Sequence, residues 1–210
     1  AYAVFTGIDD AELENKLELV KRKTGAKFEY RIRILSGSDG EALDKLHENA
    51  VHGRVSELIK ETAARLSASE SVELMIIGRS AHASTPENGV NALTLMLALL
   101  AELELADKEL AAAIGRLASY FPYGDHTGSA VSADGSDETA GYTTLTPDIL
   151  CIDGGEISLK FESRTCFAFE QEDTASRVEA LFKKAGFGFK YSFVPAHAVD
   201  GNSKFVRTLL

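Results

Sequence analysis

Alternating and helically spaced apolar residues predict three elements at the start of the chain. A strand pattern covers Ala1–Phe5. Apolar residues then recur every three or four positions over 13–20, which is the spacing of one helix face. Asp9 suits the N-cap of this helix and Gly25 suits the position just past its end. Apolar and charged residues alternate over Lys27–Ile34, which predicts a strand with one buried face.

The middle of the chain alternates between helix and strand patterns. Helical spacing predicts a helix over Arg54–Leu66, and a strand follows at Val72–Ile77. Gly78–Pro86 is rich in small residues and predicts a tight turn. A long apolar helix is predicted over Asn88–Leu105, covered on more than one side, and a further helix over Lys108–Tyr120.

A hairpin is the strongest local signal in the second half. Asp153-Gly154-Gly155 joins two strand patterns, and Asp-Gly and Gly-Gly dipeptides favour tight turns because they accept positive φ. If Asp153 pairs with Glu156, Cys151 and Cys166 lie at different levels of the hairpin. This register excludes a disulfide between them. The polar, glycine-rich loop 124–141 before the hairpin is long, so we expect it to be mobile or functional.

One more helix and one more strand complete the pattern. The helix is predicted to begin at Asp173 or Thr174 and to end at Gly186. A closing strand is predicted over Gly188–Val194. From Ser71 onward the order is β-α-β-β-α-β with an extra helix, which predicts the α+β class and a ferredoxin-like α/β plait.

Residues 1–70 then form a partial second plait-like lobe, and 71–196 form the plait itself. The chain begins inside a strand pattern without Met and stops at Leu210 inside an amphipathic helix pattern that starts at Phe205. We therefore expect it to be a fragment of a longer protein.

Composition narrows the possible partners. The 210 residues are 45% hydrophobic and 26% charged, enough for a core without disulfides, and the formal net charge is −10. Phosphate binding needs a basic face, so a nucleic acid is not an expected partner, and neither is an anionic membrane. No apolar run is long enough to span a bilayer, and no signal peptide is visible. Two cysteines are too few for a disulfide framework, which fits the cytoplasm.

The sequence carries no self-contained metal or nucleophile motif. The five histidines are His47, His52, His82, His126 and His197. None has the i,i+4 spacing of a helical metal pair, and no Cys-x-x-Cys, Walker motif or Gly-x-Ser-x-Gly occurs. His82 differs from the rest because it lies in the turn of small residues, where another surface can approach. Its ring could donate a hydrogen bond to developing negative charge, or it could merely cap the strand end.

Four stretches resemble the lid domain of the zinc aminoacylase/carboxypeptidase family of metallopeptidases, and more narrowly its dipeptidase V (Xaa-His dipeptidase, carnosinase-like) branch. The strongest is the run from Gly78 to Ala92. The others are Phe121–Gly128 with Asp137–Gly141, Ile152–Arg164 and Asp200–Leu210. The likeness covers most of residues 71–210, whereas 1–70 fit only by position and pattern.

The resemblance implies that this chain is a lid, with 1–70 its first lobe, 71–196 its second, and 197–210 a stub re-entering a separate catalytic domain. Two zinc ions are then expected in that catalytic domain and none here. By the same resemblance, His82 stabilises the tetrahedral intermediate and Arg164 holds the carboxylate of a dipeptide substrate. The family usually continues its arginine with Tyr-Pro, but here Thr165-Cys166 follows, which leaves the shape of the adjacent pocket open.

Two interpretations of the function are left open by the sequence. The first is the lid of a zinc-dependent dipeptidase, inactive without its catalytic domain. The alternative is a non-catalytic, ferredoxin-like module for dimerisation or small-ligand binding. Asn91 is expected to cap a helix, and Asp125 and His126 to hold loop structure.

Overall fold

The computed structural model describes residues 1–35, 71–153, 155–167, 171–194 and 203–209. These residues form small antiparallel sheets packed with helices, so the predicted α+β class is confirmed. The strands are β1 (Tyr2–Thr6), β2 (Glu29–Leu35), β3 (Ser71–Ile77), β4 (Ser136–Asp137), β5 (Gly141–Tyr142), β6 (Thr144–Asp153) and β7 (Glu156–Arg164). The helices are α1 (Asp10–Thr24), α2 (Ala92–Leu100), α3 (Lys108–Tyr120), α4 (Gln171–Lys184) and α5 (Lys204–Leu209).

The first helix begins and ends where its capping residues predict. The Asp9 carboxylate accepts a hydrogen bond from the Glu12 N–H at 2.7 Å. Gly25 adopts φ 67°, and its N–H donates to the Lys21 carbonyl. The helical apolar face predicted over 13–20 is fully buried, with Leu13 and Leu17 both at 0% exposure.

The central strand of the first sheet is β3. It pairs antiparallel with β1 on one side and β2 on the other, with Tyr2 and Arg31 both opposite Met75. Alternate β3 residues enter the main core, where Leu74 and Ile76 pack under α1 and α2. Burying such a side chain fully stabilises a fold by about 2 kcal/mol, so this face fixes the register of all three strands.

The β6–β7 hairpin forms a separate two-stranded sheet. Asp153 pairs with Glu156 and Cys151 with Ser158, as the turn predicts, and the register shifts by one residue between Pro147 and Ile149. Both cysteines are free thiols, so the predicted absence of a disulfide is confirmed. The hairpin packs against α2, α3 and α4 in a second core of Leu97, Leu117, Phe121, Val131, Ala133, Leu145, Val178 and Phe182.

The predicted long helix over 88–105 is wrong at both ends, because the helix α2 covers only Ala92–Leu100. Residues 86–88 form a single 3₁₀ turn, and Val90 is extended and bridged to Arg79. The helix begins only after Asn91, whose side-chain oxygen accepts from the N–H groups of Leu93 and Thr94. This confirms the capping role predicted for Asn91.

β3 pairs with β1 and β2, and its apolar face completes the core built on α1. Two further expectations need correction. Residues 188–194 belong to no strand among the described residues, although Phe189 packs on Phe161. The helix α4 already includes Gln171, so Asp173 and Thr174 lie in its first turn rather than at its cap.

The helix predicted from Phe205 is confirmed as α5. The helix predicted over 54–66 lies outside the described residues. The division into lobes at 1–70, 71–196 and 197–210 stays a prediction.

Candidate functional site

The turn that carries His82 is a closed loop. Arg79 and Val90 exchange two backbone hydrogen bonds of 3.0 and 2.8 Å across its base. Glycine is required at this closure: a Cβ on Gly78 would lie 2.5 Å from the Val90 carbonyl oxygen, and one on Gly89 would lie 2.8 Å from the Arg79 carbonyl oxygen. The small residues noted in the sequence therefore let the loop close on itself and present His82 at its tip.

The His82 ring is exposed and has a defined orientation. Its Nδ1 lies 2.7 Å from the Ser84 hydroxyl oxygen and accepts the Ser84 backbone N–H at 3.3 Å. A backbone N–H can only donate, so Nδ1 is an acceptor and the proton of the neutral ring is on Nε2. The Nε2–H has no partner among the described residues and can donate to a group outside the turn.

Arg164 ends β7 with its side chain half exposed. Its Nε lies 3.4 Å from a Glu162 carboxylate oxygen, and both side chains are about equally exposed, at 49% and 52%. An exposed ion pair of this kind contributes at most about 1 kcal/mol. The guanidinium can therefore exchange Glu162 for an incoming carboxylate at little cost.

His82 and Arg164 are connected through one residue, Thr144. The Thr144 hydroxyl donates to the carbonyl of Ala83, next to His82, at 2.8 Å. Thr144 also stands directly opposite Arg164 in the hairpin, and side chains of directly opposite residues lie on the same face. The two predicted site residues are thus brought to the same end of the molecule.

An open groove of about 1330 Å³ lies beside the His82 turn. Its walls are β1, the turn itself, the start of α2, residues 122–126 and β6. His82 and His126 both line it, whereas Arg164 is not among its lining residues. Its polar groups also include Asp148, at the hairpin bulge, whose pKa is raised by burial and by the nearby Glu162 charge.

No cluster within the described ranges could hold a metal ion, since no three His, Cys, Asp or Glu side chains converge there. The residues around His82 do not fit a two-zinc centre, which needs several such ligands in one pocket. His47, His52 and His197 lie outside the described residues.

Comparison with protein families gives a single clear result. The family model described as the peptidase dimerisation domain, from the M20 peptidases, matches residues 65–185, more than half of the chain. The chain belongs to this family. No curated protein matches it. Membership confirms the coarse resemblance to a metallopeptidase lid and fits the α+β fold, and it places the chain in a family of peptidases.

The family match and the structure leave the finer predictions as proposals. These are the dipeptidase V branch, the dipeptide substrate and the roles of His82 and Arg164. Among the described residues, no helix of this peptidase dimerisation domain is long and apolar enough to cross a membrane.

Sequence reasoning missed the threonines that connect the site. Thr143 and Thr144 are 1% and 4% exposed, and each side-chain hydroxyl bonds to the backbone of another segment. The only available signal was two adjacent β-branched hydroxyl residues at the start of a strand pattern. That signal predicts that a polar group is buried, but it does not predict which group forms a hydrogen bond with it.

The predicted structural role of Asp125 is supported by its hydrogen bonds. Its carboxylate accepts from the N–H groups of Thr127, Gly128 and Ala130, and from the hydroxyls of Thr127 and Ser129. Partial burial favours a higher pKa for Asp125, but the hydrogen bonds from Ala130 and Thr127 outweigh it, so the pKa falls below its ordinary 3.8.

We expect Asp125→Asn to lower the free energy of unfolding at pH 7 by about 1–3 kcal/mol, because a neutral amide replaces a charged acceptor of several bonds. A pKa lowered by folding stabilises the protein above pH 3.8, and this stability is lost as the pH falls through the folded-state value. Urea denaturation at pH 7 and near pH 3 measures both effects. Asp134→Asn, an exposed position in the same loop, is the matched control. Equal stability of Asp125→Asn and wild type at pH 7 would contradict the prediction.

Proposed function

We propose that this peptidase dimerisation domain is the substrate-covering lid of a metal-dependent dipeptidase of the dipeptidase V branch. The observation that carries the proposal is the exposed His82 Nε2–H, presented by a closed turn that Thr144 connects to Arg164. The family match supports the same assignment at the level of a peptidase.

In this proposal each residue has one task. As water attacks the peptide carbonyl, negative charge develops on the carbonyl oxygen, and the His82 Nε2–H donates to it. The planar Arg164 guanidinium holds the terminal carboxylate through two parallel hydrogen bonds. These two contacts place the scissile bond relative to the end of the substrate.

The remaining components lie outside this chain in the proposal. A separate catalytic domain supplies the metal site, which is expected to hold two zinc ions, and the water nucleophile. The cytoplasm is the proposed location, in line with two free thiols and a net charge of −10.

A second candidate is a non-catalytic dimerisation module. It is favoured by an exposed row of apolar side chains after α4, where Tyr191, Phe193 and Val194 are 49%, 46% and 79% exposed. Rings of Tyr191 and Phe193 stack with centroids 6.4 Å apart. An exposed apolar row is typical of a contact surface.

The test compares the 210-residue chain with the longer protein that we propose contains it. We expect the dialysed chain to retain less than one zinc ion per molecule and to cleave no dipeptide, because the described residues offer no ligand set. The longer protein, supplied with zinc, is expected to hydrolyse dipeptides. Elemental analysis and a ninhydrin assay measure the two properties.

Two outcomes contradict the proposal. One or two tightly bound zinc ions in the isolated chain would mean that it has its own metal site. A longer protein that carries zinc but hydrolyses no dipeptide would favour the dimerisation module.

A further inference from the structure

Residues 142–144, which we call the strap, run between the two proposed site residues. Thr143 and Thr144 are both buried, and neighbouring side chains of an extended segment point in opposite directions. Their two hydroxyls therefore reach two different segments. A buried hydroxyl without a partner costs about 1–3 kcal/mol, so each of these bonds is kept in the folded state.

One side of the strap holds the His82 turn. The Thr144 hydroxyl donates to the Ala83 carbonyl at 2.8 Å. Tyr142, two residues before, lies on the same side, and its hydrogen bond with Glu87 in the 3₁₀ turn raises its pKa. The Thr144 hydroxyl thus holds the His82 turn to the strap.

The other side of the strap holds the chain that leaves Arg164. The Thr143 hydroxyl oxygen accepts the Cys166 backbone N–H at 3.3 Å, and Cys166 is 2% exposed. One residue later, the Phe167 backbone N–H donates to the carboxylate of Asp137. Asp137 also accepts the N–H groups of Thr139 and Ala140, so this attachment is itself well ordered.

We propose that Thr143 and Thr144 are positioning residues that set the spacing between His82 and Arg164, and so place the C-terminal peptide bond of the substrate at the His82 donor. This inference rests on the proposed function. In a substrate held at its carboxylate by Arg164, the scissile carbonyl lies a fixed distance away. A donor held at that distance meets the carbonyl oxygen of the C-terminal peptide bond, and a donor displaced from that distance does not.

The two threonines are expected to act on different kinetic constants. Thr144→Val keeps the shape of the side chain and removes the bond to Ala83, so it should lower kcat for a dipeptide about tenfold with little change in KM. Thr143→Val removes the acceptor for Cys166 N–H, so it should raise KM about tenfold with little change in kcat.

Double-mutant cycles in the longer, zinc-loaded protein test the mechanism. The kcat effect of Thr144→Val should vanish in a His82→Ala background, and the KM effect of Thr143→Val should vanish in an Arg164→Ala background. A merely structural role would instead reduce activity equally in both backgrounds. Serine at either position keeps the hydroxyl and should restore the wild-type constants.

A measurement without substrate separates this inference from the proposed function. In the NMR spectrum of the 210-residue chain, Thr144→Val should shift the His82 ring resonances, whereas Thr143→Val should shift the backbone amide of Cys166 and leave the His82 ring unchanged. If Thr144→Val leaves the His82 ring resonances unchanged, or if Thr143→Val shifts them equally, the strap does not position the site and the inference is overturned. If the shifts are selective but the wild-type longer protein hydrolyses no dipeptide, the proposed function is wrong.

Discussion

The His82→Ala variant of the longer protein is expected to hydrolyse dipeptides with kcat lowered about 10²–10³-fold, the loss typical of removing one oxyanion donor. Its KM should change little, because the carbonyl oxygen gains full negative charge only as the transition state forms. Steady-state kinetics with a dipeptide measures both constants. The reason lies in the turn: Ser84 fixes Nδ1 as an acceptor, so Nε2 carries the proton that is donated.

The matched control is His126→Ala. His126 lines the same groove, and the contact it makes with Leu145 uses its backbone carbonyl, which alanine retains. This variant should keep the wild-type kcat. If His82→Ala keeps it too, the donor role is wrong and His82 is a structural turn residue.

The Arg164→Ala variant is expected to raise KM about 10²-fold. The substrate carboxylate is charged both in the bound state and in the transition state, so losing its charged partner weakens both, by an amount typical of truncating a hydrogen-bonded charge pair. Arg164→Lys should recover only part of the loss, since an ammonium keeps the charge but lacks the fork of two parallel donors. Dipeptides with an amidated C-terminus give a second measurement: wild type and Arg164→Ala should cleave them with similar kcat/KM.

Arg31→Ala is the control for Arg164, because Arg31 is an exposed arginine on β2 rather than on the hairpin. It should leave KM unchanged. A wild-type KM in the Arg164→Ala variant would show that the carboxylate is bound elsewhere, and its ion pair with Glu162 would then be the only role of Arg164.

Local signals in the sequence predicted much of the secondary structure. Asp9 and Gly25 place the ends of α1, and Asp153 sets the start of the hairpin register, because capping and turn formation depend on residues a few positions apart. The bulge beside Pro147 was not predicted. Proline has no N–H to give to a ladder, yet the sequence alone does not say on which side of it the register shifts.

Predictions that depended on distant residues were less accurate. The helix predicted from Asn88 begins only after Asn91, because Val90 is held in the backbone bridge to Arg79. The partners of β3 follow from the core that α1 completes, which no local pattern encodes. The apolar alternation after Gly186 predicted a strand that residues 188–194 do not form, because a strand also needs a neighbouring backbone to pair with.

For the candidate site too, residues in local motifs were predicted from the sequence, whereas residues that act through distant contacts were not. A family resemblance was enough to single out His82 and Arg164, since each lies in a motif. The residues that connect them could not be singled out, because Thr144 contacts a carbonyl 61 positions away in the chain. Side-chain to backbone bonds of this range depend on the packed fold.

The strand order β1-β3-β2 also constrains how this domain folds during synthesis. The two strands made first are not neighbours, and each depends on β3, which is made last. Among the described strands, neither β1 nor β2 therefore has a pairing partner until residues 71–77 have left the ribosome. Closing such long loops before any ladder bond is gained is slow, so nascent chains carry the edges of β1 and β2 unpaired for a prolonged time. During that interval the emerging polypeptide is most in need of protection by chaperones.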